Sequence, residues 1–245
     1  SRGLGDVYKR QVEEQVDLMY SLIHQQVDAI VLVPIDSKAL VQPVVEAVRK
    51  GVPVINIDIR LDTQLLEQAG VEVAFVGPDN FAAAYEVGKL LDKKLRNEDK
   101  VAIIEGLTAA DNAQQRKRGF IKAIEEKGLR LVASEPADWE TEKAAEVFQA
   151  MWMRYPDLKA VYCSNDAMAL GVLQQMQEKN CYLPVVGFDN DAVMKEFLST
   201  GKLVATADIF SSQMAVRGIE FALDVLEGKI ENRGVHSTAY EIIKQ

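Results

Sequence analysis

Asn165 and Asp189 follow two short apolar runs, Val161-Tyr-Cys-Ser and Val185-Val-Gly-Phe. A carboxamide donates and accepts hydrogen bonds, and a carboxylate accepts from two adjacent hydroxyls, so the pair can read a vicinal diol. In an open α/β sheet the carboxyl ends of the strands are the edge where ligands bind. Asp58, which ends the apolar run 52–57, belongs to the same class. These residues point to a cleft lined by hydrogen-bonding side chains, with turn or helix-cap roles as the plainer alternative for each. Nucleophilic or metal chemistry has little support. His24 and His236 are the only histidines and lie far apart in sequence, which argues against a Ser-His-Asp triad or a His-based metal site. No GxGxxG follows a strand, and neither a P-loop nor HExxH occurs.

The elements that must position these residues alternate almost throughout. Apolar spacing predicts helices over 12–26, 81–95, 113–127, 142–155, 167–179, 192–199 and 213–227, and a further helix capped by Ser37 and stopped at Gly51. Gly128, Pro156, Gly201 and Gly228 stop others. The apolar runs 29–33 and 185–188 predict buried strands, and strands are also read over 52–57, 73–76, 101–105, 129–133, 160–163, 204–207 and 240–243. Such alternation implies an α/β fold with mostly parallel sheets and helices on both faces. Residues 1–10 carry neither period and read as an artefactual or disordered tail.

The chain has 245 residues, a net charge of -9 and 48% apolar residues, and a pI near 4.9. The acidic balance argues against nonspecific nucleic-acid or anionic-membrane binding, both of which need a basic footprint. Cys163 and Cys181 have no CxxC spacing and no neighbouring histidine. Cys163 sits in an apolar run and reads as a small core residue; nothing favours a disulfide. No apolar run reaches about 18 residues, and residues 1–10 lack the apolar core of a signal peptide.

Three stretches resemble the type I periplasmic sugar-binding proteins, the ribose- and galactose-binding group of ABC-transporter receptors: Asn165-Asp-Ala-Met-Ala-Leu-Gly, Val186-Gly-Phe-Asp189 and Ala109-Ala-Asp-Asn-Ala-Gln-Gln-Arg116-Lys-Arg-Gly-Phe120. Ile55-Asn-Ile-Asp58, Phe75-Val-Gly-Pro-Asp-Asn80 and Ala133-Ser-Glu-Pro-Ala-Asp-Trp139 fit the same pattern, so the likeness runs from about Gln11 to Gln245 in one register. It implies two Rossmann-like lobes with parallel sheets, residues 11–78 plus 210–238 and residues 79–209 plus 239–245. Crossovers near Pro78-Asp79, Ile209-Phe210 and Thr238 would serve as the hinge. The first βαβ unit of the N-terminal lobe is missing by this comparison. Its loss would leave backbone groups unpaired and apolar faces exposed, so the chain alone is expected to be poorly soluble or incompletely folded.

The resemblance assigns ligand contacts to Asp58, Asn112, Arg116, Trp139, Asn165 and Asp189. Trp139 would stack on the apolar C–H face of a sugar, and Arg116, in the first turn of its helix, would donate a fork of hydrogen bonds. Asn112 reads equally as a helix N-cap. The chain departs from the family at two places. Ile59 follows Asp58 where relatives have a basic residue, with Arg60 next, and Ile209 stands where relatives have an amide, with Asp208 beside it. These departures favour a deoxy sugar, a polyol or a different ring form. The function implied is a monomeric, non-catalytic solute receptor. It would bind a monosaccharide or polyol, need no cofactor or metal, and deliver its ligand to an ABC permease from the periplasm or as an extracytoplasmic lipoprotein. The effector-binding core of a LacI-type repressor is the alternative on the same fold, and an enzyme on a doubly wound sheet is the third class.

Overall fold

Strands joined by helical crossovers build the computed structural model, which describes residues 2–244. Packing divides the chain into two units. Unit 1 is Ser1–Pro78, Ala109–Asp111 and Ser211–Thr238; unit 2 is Asp79–Thr108, Asn112–Phe210 and Ala239–Gln245.

Unit 1 holds a parallel sheet of β1 (Ile30–Leu32), β2 (Val54–Ile57), β3 (Phe75–Pro78) and β9 (Val235–Thr238), in that order. Helices α1 (Arg2–His24), α2 (Val41–Arg49), α3 (Thr63–Gln68) and α9 (Ser211–Leu226) surround it. Met19 and Ile23 of α1 pack with Leu40, Val44, Val45, Ile30 and Val54 in one core, while Ile55, Ile57, Val76 and Ala222 form another. Every residue of β2 is buried, as expected of a parallel strand covered on both faces. Strand β1 has no second partner among the described residues. Val31 and Val33 at this edge are exposed, as are Val216, Ile219, Leu223 and Leu226 of α9.

Unit 2 holds α4 (Asn80–Asp92), β4 (Lys100–Glu105), α5 (Asp111–Lys127), β5 (Arg130–Pro136), α6 (Thr141–Arg154), β6 (Ala160–Cys163) and α7 (Asp166–Glu178). It continues through β7 (Val185–Val186), a 3-10 turn (Ala192–Met194), α8 (Lys195–Ser199), β8 (Leu203–Asp208) and β10 (Glu241–Lys244). The sheet order is β10-β8-β7-β6-β4-β5, parallel except for β10 against β8. Phe120, Phe148, Tyr162 and Phe188 are fully buried in its core.

The α/β reading with parallel sheets agrees with this architecture; two local expectations do not, and two elements, α3 and β9, have no counterpart in the sequence reading. Residues Arg2–Arg10, read as a tail, are the first turns of α1. The amphipathic stretch that follows extends the helix, which propagates more readily than it nucleates, and the Tyr8 hydroxyl donates to Asp36 Oδ2 at 2.5 Å. Ser1 lies outside the described residues. Ser37 does not cap α2: Leu40 holds the cap position with no side-chain bond, and the Ser37 hydroxyl instead accepts from the Asp111 N–H at 3.0 Å. Helix α3 has six residues, too few to show a period, and rests on an N-cap from Asp62 to the Leu65 N–H. Strand β9 reads Val-His-Ser-Thr with a largely exposed pattern; its pairing with β3, not its apolarity, makes it a strand. Both cysteines are free thiols, Cys163 buried and Cys181 partly exposed.

Candidate functional site

Backbone strain marks one edge of the sheets. Among the described residues, six of the nine non-glycine positions with positive φ lie just past strand ends: Asp58 after β2, Asp138 and Trp139 after β5, Asp189 and Asn190 after β7, Phe210 after β8. Conformations of this kind are costly and gather at ligand clamps and active sites.

In unit 2, Arg116 is the centre of the polar set and only 3% exposed. Helix α5 starts at Asp111, two residues before the apolar period begins, so Arg116 lies in its second turn. Its Nε–H donates to Asn80 Oδ1 at 2.9 Å and its Nη1–H to the Ser164 carbonyl at 2.8 Å. Nη1 also lies 3.5 Å from Asp189 Oδ1. The guanidinium carbon sits 3.7 Å from the Phe188 ring centre and 5.5 Å from that of Trp139. A buried guanidinium must be paired and hydrogen-bonded, and these partners fix the plane of its fork.

Asn112 lies one turn before Arg116 on the same face of α5. It stands inside the helix, not at its cap, because the helix begins earlier than the apolar spacing indicates. It is 5% exposed, and its Oδ1 is buried with no hydrogen-bond partner among the described residues. An orphaned buried acceptor costs about 1–3 kcal/mol, and a ligand hydroxyl would satisfy it.

Asn165 is the N-cap of α7, its Oδ1 accepting from the Met168 N–H at 2.8 Å. The cap occupies the carbonyl oxygen, so the amino group is the part of the amide suited to a ligand. Asp189 follows β7 at φ 109, and its N–H donates to the Ala207 carbonyl at 2.7 Å. Its carboxylate is partly exposed beside Arg116.

Trp139 and Asp138 both take left-handed backbone conformations, at φ 70 and φ 52, and Lys143 pairs with the Asp138 carboxylate. The indole lies directly on Gly106: a Cβ there would meet ring carbons at 2.1–2.4 Å. Only glycine lets the ring reach this position. At the end of β4, buried Glu105 is bonded to the Ser134 hydroxyl at 2.5 Å and paired with Lys117 at 2.8 Å.

Asp58 belongs to unit 1, where it follows β2 at φ 62 and its N–H donates to the Val76 carbonyl at 3.2 Å. Buried Asn56 shapes this turn, donating to the Ile59 carbonyl and accepting from the Leu61 N–H, both at 2.8 Å. Arg60 lies over Phe75, 5.6 Å from its ring centre. In unit 2, Asp208 accepts from Asn190 Nδ2 at 2.9 Å and from the Phe210 N–H at 2.8 Å, while Ile209 is buried.

Unit 2 thus brings together Arg116, Asp189 and Trp139, with Asn112 on the same helix face as Arg116. Sequence reasoning overlooked Asn80, Ser164, Phe188 and Gly106. Asn80 lay between an expected strand and an expected helix, and Phe188 at the end of an expected strand. Ser164 acts through its backbone, which carries no residue signal, and Gly106 acts through the side chain it lacks. Among the described residues, no three of His, Cys, Asp and Glu form a cluster able to hold a metal ion.

Residues 8–230 match a family described as periplasmic binding protein domain. The chain is 40% identical to the D-ribose/D-allose-binding protein of Pseudomonas aeruginosa over 248 residues, covering 99% of the chain and 77% of that protein. It is 33% identical to the D-allose-binding periplasmic protein of Escherichia coli, covering 86% of the chain and 70% of that protein. An ABC transporter periplasmic solute-binding protein from Actinobacillus succinogenes, crystallised with D-allose bound, superposes with a TM-score of 0.88. That match has 32% identity and covers 95% of this chain and 84% of the other.

Proposed function

The chain belongs to the periplasmic binding protein family, and on that premise we propose that it is the solute receptor of an ABC sugar importer. Its ligand is a monosaccharide or polyol, with allose and ribose the first sugars to consider. The single observation that carries this reading is the grouping around Arg116. A buried guanidinium fork lies 3.7 Å from the Phe188 ring centre and 5.5 Å from that of Trp139, with the Asp189 carboxylate at 3.5 Å. A sugar ring needs an apolar surface for its C–H face and, at its rim, donors and acceptors for its oxygens. The orphaned Asn112 oxygen and the amino group of capping Asn165 would complete the set. Selectivity would follow because a sugar lacking one hydroxyl leaves a buried polar group unpaired.

Of the relatives named above, one is a periplasmic protein and another a periplasmic solute-binding protein of an ABC transporter, which favours this reading over the effector core of a repressor. The proposal further describes a non-catalytic monomer located outside the cytoplasm, whose two lobes are the two units and which hands its ligand to a membrane permease. Titration calorimetry with D-allose, D-ribose and a panel of pentoses, hexoses and polyols tests it. Saturable binding is expected, weakened at least about tenfold by Trp139→Ala or Arg116→Ala, a loss of about 1.4 kcal/mol or more. Recovery of the sugar unchanged after incubation supports a receptor. Absence of heat with every member of the panel overturns the proposal.

A further inference from the structure

We propose that Asp166 and Thr206 are positioning residues of the ligand site, which hold the 189–191 turn so that the Asp189 carboxylate stays beside Arg116. The inference rests on the sugar-receptor reading above.

The turn after β7 is under strain, since Asp189 and Asn190 are consecutive non-glycine residues at φ 109 and φ 57. Such a conformation persists only where its surroundings over-determine it. Here all three backbone N–H groups of the turn have defined acceptors. Asp189 donates to the Ala207 carbonyl at 2.7 Å, Asn190 to Thr206 Oγ1 at 3.2 Å, and Asp191 to Asp166 Oδ2 at 2.9 Å. The Thr206 hydroxyl in turn donates to Asp166 Oδ1 at 2.9 Å. Two of the three anchors therefore depend on one carboxylate–hydroxyl pair, and both residues are fully buried. The Asp166 N–H donates to the Phe188 carbonyl at 2.7 Å, which ties the same residue to the segment entering the turn.

Gly187 makes room for this arrangement, because a Cβ there would lie 2.0 Å from Asp166 Oδ1. Burial pushes the Asp166 carboxyl up to about 7, with Asp189 and Asp191 adding to the effect and the bonds from Asp191 and Thr206 opposing it. A carboxylate that the fold is reluctant to ionise is an expensive anchor, and a neutral apolar residue at this depth would serve stability better. Its place is explained by the turn it holds.

The test separates affinity from stability and from the sugar reading itself. In Thr206→Val, a near-isosteric change, sugar affinity is expected to fall about tenfold or more, about 1.4 kcal/mol or more by the usual relation, while Thr206→Ser restores most of it. Met176→Ala, a core truncation at the far end of α7, should lower the melting temperature with affinity unchanged. Asp166→Asn gives a second route: at pH 8 it should bind sugar more weakly while resisting denaturant better, a combination a merely structural role does not produce. Amide exchange of Asn190 and Asp191, measured without sugar, should quicken in Thr206→Val and in Asp166→Asn but not in Met176→Ala. If the unaltered protein binds no sugar, the receptor reading fails, and the exchange measurement still decides whether the pair holds the turn. Wild-type affinity in both variants, or unchanged exchange at Asn190 and Asp191, overturns the proposal.

Discussion

Replacing Asp166 by Asn should change the way the protein's stability responds to pH, and the size of the change can be worked from its surroundings. Asp166 is fully buried, and burial raises its carboxyl from an ordinary 3.8 to about 7. The charged groups facing it are the carboxylates of Asp189 and Asp191, and the thiol of Cys163 is the other titratable neighbour. Below about pH 4 the group is protonated in both folded and unfolded chains. Between about pH 4 and 7 the folded protein keeps its proton and the unfolded chain loses it, so stability falls as pH rises; above about 7 the loss is complete.

At about 1.4 kcal/mol for each pH unit, the whole loss is about 4 kcal/mol. An asparagine side chain never ionises and escapes that loss, but it gives up an acceptor oxygen, which costs about 1–2 kcal/mol. The variant should therefore be about 2–3 kcal/mol more stable than the parent at pH 8 and about 1 kcal/mol less stable at pH 4, with the crossing at about pH 5. Urea unfolding followed by tryptophan fluorescence is the assay. Trp139 and Trp152, the only tryptophans, both lie in unit 2 with Asp166. A difference between the two proteins that stays flat from pH 5 to 8, or grows in favour of the parent, would refute the reasoning.

Other outcomes follow from single features. Gly106→Ala places a methyl group within the Trp139 ring, so the indole must move: its emission should shift and sugar affinity should drop about tenfold or more, whereas the same change at exposed Gly228 should leave both unaltered. Ile219→Lys with Leu223→Lys charges an apolar face of α9 that is more than half exposed; the double variant should bind less of an apolar dye and associate less in light scattering. With a thiol reagent, Cys181 should react on mixing and Cys163 only on unfolding, because burial raises the Cys163 thiol and shields it. Two fast thiols in the native protein would contradict that assignment.

Much of the scaffold could be read before any coordinates because its strands are buried on both faces. The run Ala160–Cys163, for example, is apolar and buried at every position and stops abruptly at a polar residue. What could not be read was structure created by pairing or by removal. Strand β9 has no apolar run and exists through its ladder to β3. Helix α3 is too short to declare a period. The same divide runs through the candidate site. Arg116, Asp189 and Trp139 announce themselves by residue type and place in a motif. Gly106 and the Ser164 carbonyl contribute an absence and a backbone atom, and neither is visible until the chain is folded. Asp166 was in plain sight within a motif quoted for its neighbour Asn165. Its role depends on Thr206, 40 residues away, and no local pattern links the two.

The interlacing of the two units also bears on how the protein is made. A polypeptide leaving the ribosome usually folds domain by domain from its beginning. Here β3 of unit 1 gains its neighbour β9 only after about 160 further residues, since Phe75 pairs with Val235, and unit 2 closes its sheet with β10, which comes later still. Neither sheet has all its described strands until residues 235–244 have been synthesised. During that interval the edge of β8 that will receive β10 stays open, and an open strand edge invites pairing with other chains. Stalled or prematurely ended translation would therefore leave two incomplete sheets rather than one finished half, and such products belong to the chaperones and proteases that meet nascent chains.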